Sequence, residues 1–333
     1  MDKTNKTALI TGITGQDGSL LAQYLISRGY KIIAPVRKNF NQSRLQVLGL
    51  LHSPAITYLI YQRWCDFKKI IQQNIIHEFY HLAAMSHVGK SHSEATNVLD
   101  VNSLWTTEML AFLECDSPQT RFFFASSCEI FSADNQQAID ESACTNPSNP
   151  YGISKLAATN MVRYFREVKG LFASSAILFN HESELRDDSF VSKKITKTVA
   201  KIVKGLPVVL SLGNIESQKD WSYAPDFVTY FHKILHQKHA ADFILASGKR
   251  HSVKDMVNCA FSALKYPITW HDSGLDCVAK NKQGKIVVQI NPAYFRPLDN
   301  RFLIGDTKKA QQQLGFGKLT SFSDWVTKMT LFE

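Results

Sequence analysis

The chain contains no stretch long and apolar enough to span a bilayer, and Met1-Asp2-Lys3-Thr4-Asn5-Lys6 lacks the apolar centre of a secretory signal. A membrane partner is therefore not expected, and a cytoplasmic location is. Six cysteines, at 65, 115, 128, 144, 259 and 277, include no C-x-x-C pair and no zinc-type spacing. They fit free thiols in a reducing compartment, and no metal-ligand set is expected. A dense basic block is also missing. The formal net charge of +9 is spread along the chain, which disfavours nucleic acid and favours a phosphorylated small molecule. No internal repeat or low-complexity tract is present.

What is there begins with glycine. Thr11-Gly12-Ile13-Thr14-Gly15-Gln16-Asp17-Gly18 follows the apolar run Ala8-Leu9-Ile10. A strand, a glycine turn and a helix start form a cradle for a pyrophosphate, because the backbone comes close and the helix N-terminus offers unpaired N–H groups. The spacing is G-x-x-G-x-x-G, so by itself it is compatible with a turn that binds nothing. Apolar runs then alternate with amphipathic stretches, predicting strands at Thr7–Thr11, Lys31–Val36, Thr57–Tyr61, Glu78–Ala84, Arg121–Ser127 and Ser174–Asn180. Helices are predicted at Gly18–Gly29, Lys68–Asn74, Ala95–Glu114 and Pro150–Lys169. With 333 residues, 44% hydrophobic and 20% charged, this predicts an α/β chain. Residues 1–180 form a Rossmann-like doubly wound parallel sheet, and 181–333 form a smaller α+β lobe with some segments returning to the first domain.

The second strand ends in Val36-Arg37-Lys38, where a dinucleotide fold places an acid for a ribose 2′-hydroxyl or an Arg for a 2′-phosphate. No carboxylate stands there, so Arg37 and Lys38, with Arg44 behind them, favour NADP over NAD; the alternative is a solvated basic loop. Asp66, with Phe67 beside it, could reach the adenine amino group. The small residues of Leu82-Ala83-Ala84-Met85-Ser86 let the backbone pass close to the cofactor.

Tyr151 and Lys155 sit four apart at the start of a helix and so share one face. An ammonium there lowers the phenol pKa and lets Tyr151 accept a proton. The strand Arg121–Ser127 leads into Cys128 and Glu129, and in extended backbone Ser127 and Glu129 point the same way while Cys128 packs away from them.

Together these residues resemble the extended short-chain dehydrogenase/reductase superfamily, and within it the GDP-mannose 4,6-dehydratase family. The resemblance runs through nearly the whole chain. It is carried by Ala8 to Ser19, Ser86-His87-Val88, Leu178-Phe179-Asn180-His181-Glu182-Ser183, Ser211-Leu212-Gly213-Asn214, Lys219-Asp220-Trp221 and Phe295-Arg296-Pro297. It implies Ser127, Glu129, Tyr151 and Lys155 as the catalytic set, Glu129 being the dehydratase carboxylate. It implies cofactor contacts from His181 and Arg186, and substrate contacts from Ser86, His87, Ser127, Asn180, Ser189, Lys194, Lys219, Arg296 and Asp299. It also implies a homodimer or homotetramer, with the loop from Arg37 to Arg44 reaching a neighbour's cofactor site.

Departures from the family pattern fall on the substrate side. Ser189 stands for Asn, Lys219 for Arg and Asp299 for Glu, and Glu184-Leu185-Arg186-Asp187 replaces Pro-Arg-Arg-Gly. Two other readings remain: an epimerase or 4-ketoreductase of the same fold, and a non-catalytic NADP-binding protein. Glu129 discriminates against the first, since a simple reductase needs no carboxylate there. The intact Tyr151, Lys155 and Glu129 weigh against the second.

Overall fold

The computed structural model describes residues 6–63, 65–131, 138–294 and 303–333. In chain order the strands are β1 (Thr7–Thr11), β2 (Lys31–Val36), β3 (Ile56–Ile60), β4 (Glu78–His81), β5 (Arg121–Ser127), β6 (Ala173–Leu178), β7 (Asn180–Glu182), β8 (Leu210–Leu212), β9 (Gln218–Tyr223), β10 (Phe243–Leu245), β11 (Arg250–Ser252), β12 (Ile268–His271), β13 (Val278–Asn281) and β14 (Ile286–Ile290). Seven form one parallel sheet in the order β10-β6-β5-β4-β1-β2-β3.

Strand periodicity divides the two faces of that sheet. On β1, Ala8 and Ile10 pack into one apolar cluster and Leu9 into the opposite one. Phe123 likewise faces away from Phe122 and Phe124 on β5. Burial on both faces explains the continuous apolar run Phe122-Phe123-Phe124. The chain reverses direction across the sheet between β1 and β4, and this switch point opens a crevice at the carboxyl ends of the strands.

The second half does not form a separate body. β10, the helix Ala224–Leu235 and the helix Lys308–Leu314 return to the first sheet, where Phe227, Phe231, Leu245 and Leu314 complete the cluster around Ala8 and Phe123. The rest builds its own core around Trp221, Met256, Val288 and Trp325. Here the order β12-β13-β14-β8 makes a four-stranded sheet, and β11-β9-β7 a three-stranded one. Strands β8, β10 and β14 meet the short apolar runs Val208–Ser211, Phe243–Ala246 and Lys285–Ile290 that the sequence predicts here, whereas β7, β9, β11, β12 and β13, three to six residues long, follow no such run.

Three expected elements differ in form. The helix foreseen at Ala95–Glu114 is interrupted by a wider π-type turn at Asp100–Leu104. That turn swings Asn102 and Ser103 inward: the Asn102 amide donates to the Ser154 hydroxyl at 3.0 Å and the Ser103 hydroxyl to the Ser154 carbonyl at 2.9 Å. β4 stops at His81 rather than Ala84, because the chain there turns beneath Gly12. β6 ends at Leu178, and after Phe179 the chain changes sheets. Among the described residues, no helix is long and apolar enough to cross a membrane.

Candidate active site

A cleft of about 630 Å³ fills the crevice, and its floor is the glycine turn. Gly12 has φ +74°, and a Cβ there would lie 2.8 Å from the Ala83 backbone nitrogen. A Cβ on Gly18 would collide with the Gly12 carbonyl oxygen. The backbone is thus drawn tight over β4, and the helix Gln16–Ser27 points its N-terminus into the cleft without a side-chain cap. Those unpaired N–H groups fit an anionic pyrophosphate.

Around this turn lie Thr14, Gly15, Gln16, Asp17, Arg37, Leu82, Ala83, Ala84, Ser86, Ser127, Glu129, Tyr151, Lys155, Asn180, His181 and Arg186, all foreseen for the site and all lining the one cleft. Other candidates are elsewhere. Lys38 is exposed beside the mouth. The Asp66 carboxylate caps its own loop, accepting the N–H groups of Gln62 at 2.9 Å and Arg63 at 3.0 Å, and those bonds hold its pKa down. Phe67 packs its ring in the core, 2% exposed. Lys194 rests over the Tyr294 ring at 4.1 Å, its pKa lowered by burial. Lys219, on β9, does not line the cleft. Arg296 and Asp299 lie outside the described residues.

Arg44 has a different occupation from the one expected. Its guanidinium donates to the Leu185 carbonyl at 2.6 Å and the Thr14 carbonyl at 3.1 Å, and approaches Asp187 at 3.5 Å. It clamps the glycine turn to the 185–187 segment of its own chain. The clamp borders a second hollow of about 350 Å³ that also holds His87 and Ser189. There the Ser189 hydroxyl donates to Asp187 at 2.7 Å, and the His87 Nδ1 accepts the Lys90 N–H at 3.2 Å.

Asp17 and His181 pair with each other, Nε2 to Oδ2 at 2.8 Å, while His181 Nδ1 donates to the Phe179 carbonyl at 2.7 Å. Acceptors on both sides of the ring favour the imidazolium. Burial works against that charge, but Asp17 raises the His181 pKa above the usual value. Burial also opposes the Asp17 carboxylate, yet His181, Gln16 and Arg186 outweigh it and hold the carboxyl at about 2.

Ser127 closes β5, and the next residues form a 3₁₀ turn, Cys128–Ile130, rather than extended strand. Ser127 Oγ accepts the Glu129 N–H at 3.2 Å, so the turn, not strand alternation, sets Glu129 beside Ser127. Cys128 packs with Ile130, Phe131 and Phe179 but also borders the cleft, so the expected packing away from it holds only in part; burial pushes its thiol pKa up. The Glu129 carboxylate accepts from the Asn149 amide at 2.8 Å. Asn149, which the sequence reading passed over, also caps the helix Pro150–Glu167 by accepting the Gly152 N–H at 2.8 Å. An Asn directly before Pro is a helix-start signature, and it could have flagged the residue.

The expected lowering of the Tyr151 pKa is overturned. Burial dominates and pushes the phenol up, against the hydrogen bond from Ser127. Lys155 Nζ donates to the Ala125 carbonyl at 2.8 Å and sits 6.0 Å from the Tyr151 ring centre. Burial lowers its own pKa to about 7, with Asp17 pulling the other way. His81 is a further missed wall of the cleft: it bonds to the Thr11 and Thr106 hydroxyls at 2.7 and 3.0 Å, and burial drops its pKa to about 3.

The family profile for GDP-mannose 4,6 dehydratase matches residues 9–329. GDP-mannose 4,6 dehydratase 2 of Caenorhabditis elegans is 36% identical over 98% of this chain and 88% of its own length. The Homo sapiens GDP-mannose 4,6 dehydratase is 36% identical over 99% and 91%. Among solved structures, a dTDP-glucose 4,6-dehydratase from Streptomyces venezuelae with NAD bound superimposes with TM-score 0.81, at 17% identity, covering 98% of this chain and 96% of its own; that likeness concerns the fold. With a family match across almost its full length and relatives above one-third identity, the chain belongs to the GDP-mannose 4,6-dehydratase family of nucleotide-sugar lyases.

Proposed function

We propose that this protein converts GDP-mannose to GDP-4-keto-6-deoxymannose and water, with NADP as its resident cofactor. The observation that carries the reading is the Glu129 carboxylate, held by Asn149 in the same cleft as Ser127, Tyr151 and Lys155. The glycine turn, whose Gly12 and Gly18 leave no room for a side chain, would hold the pyrophosphate, with Arg37 and Lys38 toward a 2′-phosphate. Bound NADP would accept a hydride from the sugar and return it later in the same turnover.

The chain's residues handle the protons. Tyr151 takes the proton of the sugar O4 hydroxyl, with Ser127 within hydrogen-bonding reach and Lys155 supplying positive charge on the same helical face. The ketone formed at C4 acidifies the C5 proton. Glu129 removes that proton and delivers it to the departing C6 hydroxyl, so water leaves. Tyr151 gives up the proton it took from O4, which balances the one that then returns to C5, and the product retains the C4 ketone and a C6 methyl group.

Incubation with GDP-mannose and no added reductant is expected to give a product lighter by one water in mass analysis. The Ser189 hydroxyl, bonded to Asp187, favours a second reading for specificity, in which another GDP-hexose or a GDP-heptose is dehydrated. A panel of GDP-, CDP-, UDP- and dTDP-sugars separates the two. Preference for UDP- or dTDP-glucose over every GDP-sugar overturns the substrate while leaving the elimination intact.

For the cofactor, Arg37→Ala is expected to weaken NADP binding by about tenfold or more and leave NAD nearly unchanged. A lost charged hydrogen bond is worth roughly 1.5–3 kcal/mol. Titration of both cofactors into cofactor-free protein checks this, and equal or tighter NAD binding by the unaltered chain refutes it. A cytoplasmic homodimer or homotetramer belongs to the same proposal. The six free thiols support the compartment.

A further inference from the structure

The opposite end of the sheet carries a cluster that the reaction does not use. Glu78 opens β4, whose other end, His81, borders the cleft. It is 1% exposed. Over it stand His232, on the helix Ala224–Leu235, and His236, which caps that helix. Four residues apart, the two histidines share a face, and their rings stack with centres 3.9 Å apart. Among the described residues, Glu78, His232 and His236 each offer a ligand atom within 4.8 Å of the others.

We propose that Glu78, His232 and His236 form a binding site for a divalent transition metal of the zinc class. Two imidazoles and a carboxylate are a donor set for that class, and not for calcium or magnesium. His236 Nε2 and Glu78 Oε1 lie 3.3 Å apart. That equals the ligand-to-ligand edge of a tetrahedral site with bonds of about 2.0 Å.

The outer contacts favour the same role. His236 Nδ1 donates to the His232 carbonyl at 2.7 Å, which leaves Nε2 with its lone pair toward Glu78. The Tyr80 hydroxyl donates to Glu78 Oε2 at 2.8 Å and that of Tyr30 to Oε1 at 2.9 Å, so the carboxylate is oriented by two phenols. The Tyr30 hydroxyl oxygen also accepts from His232 Nε2 at 3.1 Å, a bond and a proton that the incoming ion displaces.

A cation already marks the position. Lys6 Nζ is 3.3 Å from both Glu78 Oε1 and His236 Nε2. Its side chain is 38% exposed and can swing to solvent when a dication enters. Metal binding thus competes with the Lys6 ammonium. The bound ion ties the start of β4 to the end of the helix Ala224–Leu235, on the side of the sheet away from the chemistry.

The test uses the full-length protein after chelator treatment. Zn²⁺ is titrated by calorimetry, and Co²⁺ by visible absorption, where a tetrahedral N/O site gives intense bands. The unaltered protein is expected to bind one Zn²⁺ per chain and to melt at a higher temperature with it. His236→Gln and His232→Gln each weaken binding by more than the roughly 10–100-fold that losing a hydrogen-bonding neighbour of a ligand costs. Lys6→Gln, which removes the competitor, tightens it. Glu78 is left intact because its replacement would strand two buried phenols. Absence of Zn²⁺ binding by both the unaltered and Lys6→Gln proteins overturns the site, as does unchanged affinity in the two histidine variants.

Discussion

Glu129→Gln is expected to bind cofactor normally, retain oxidation at C4, and eliminate water about 10²–10⁴ times more slowly. The substitution is nearly isosteric. Its amide can still meet Asn149 and leaves the Cys128–Ile130 turn in place, so the loss isolates one function: taking the C5 proton. The reduced cofactor's absorbance should therefore persist after substrate is added, because hydride leaves the sugar but finds no eliminated product to return to. Dehydration at the unaltered rate would remove Glu129 from the mechanism and return the chain to the epimerase or reductase reading.

The second large effect belongs to Tyr151→Phe. Without the phenol oxygen the O4 proton has no acceptor, and turnover should fall by about 10²–10⁴-fold before any reduced cofactor forms. The absorbance trace thus separates this variant from Glu129→Gln. Burial holds the Tyr151 pKa above the ordinary phenol value, so below it the basic form becomes more abundant as pH rises. For the unaltered protein kcat/KM should accordingly climb with pH up to about 7, above which Lys155 loses its charge and the gain is opposed. Tyr151→Phe should flatten that limb, and a limb that survives in the variant would assign the base to another residue.

The parts of this molecule readable from sequence are those whose signal is local. β1, β2 and β5 match their expected limits because buried central strands are continuous apolar runs ending at glycine or polar residues. The helix carrying Tyr151 and Lys155 begins at Pro150, as the turn before it dictates. What the sequence conceals depends on neighbours distant in the chain. Arg44 reads as one more cation near a phosphate, and only folding brings the carbonyls of Thr14 and Leu185 to its guanidinium. The Tyr151 pKa follows from burial that no spacing rule counts. Asp66 has the right place in the chain for an adenine contact, but the backbone of its own loop claims the carboxylate first.

The return of the second half to the first sheet bears on how the protein is made. One face of that sheet is only partly covered, by Leu21, Ala22 and Leu25, until Phe227, Phe231, Leu245, Leu314 and Phe316 have been synthesised. At about 5–20 residues per second, Phe123 waits roughly 5–20 seconds for Phe231, the ring that covers it. The nascent chain is thus expected to bind chaperones that shield apolar surface. A protein stopped after residue 180 should aggregate rather than fold as a free cofactor-binding domain, a result that solubility of the truncated chain would check directly.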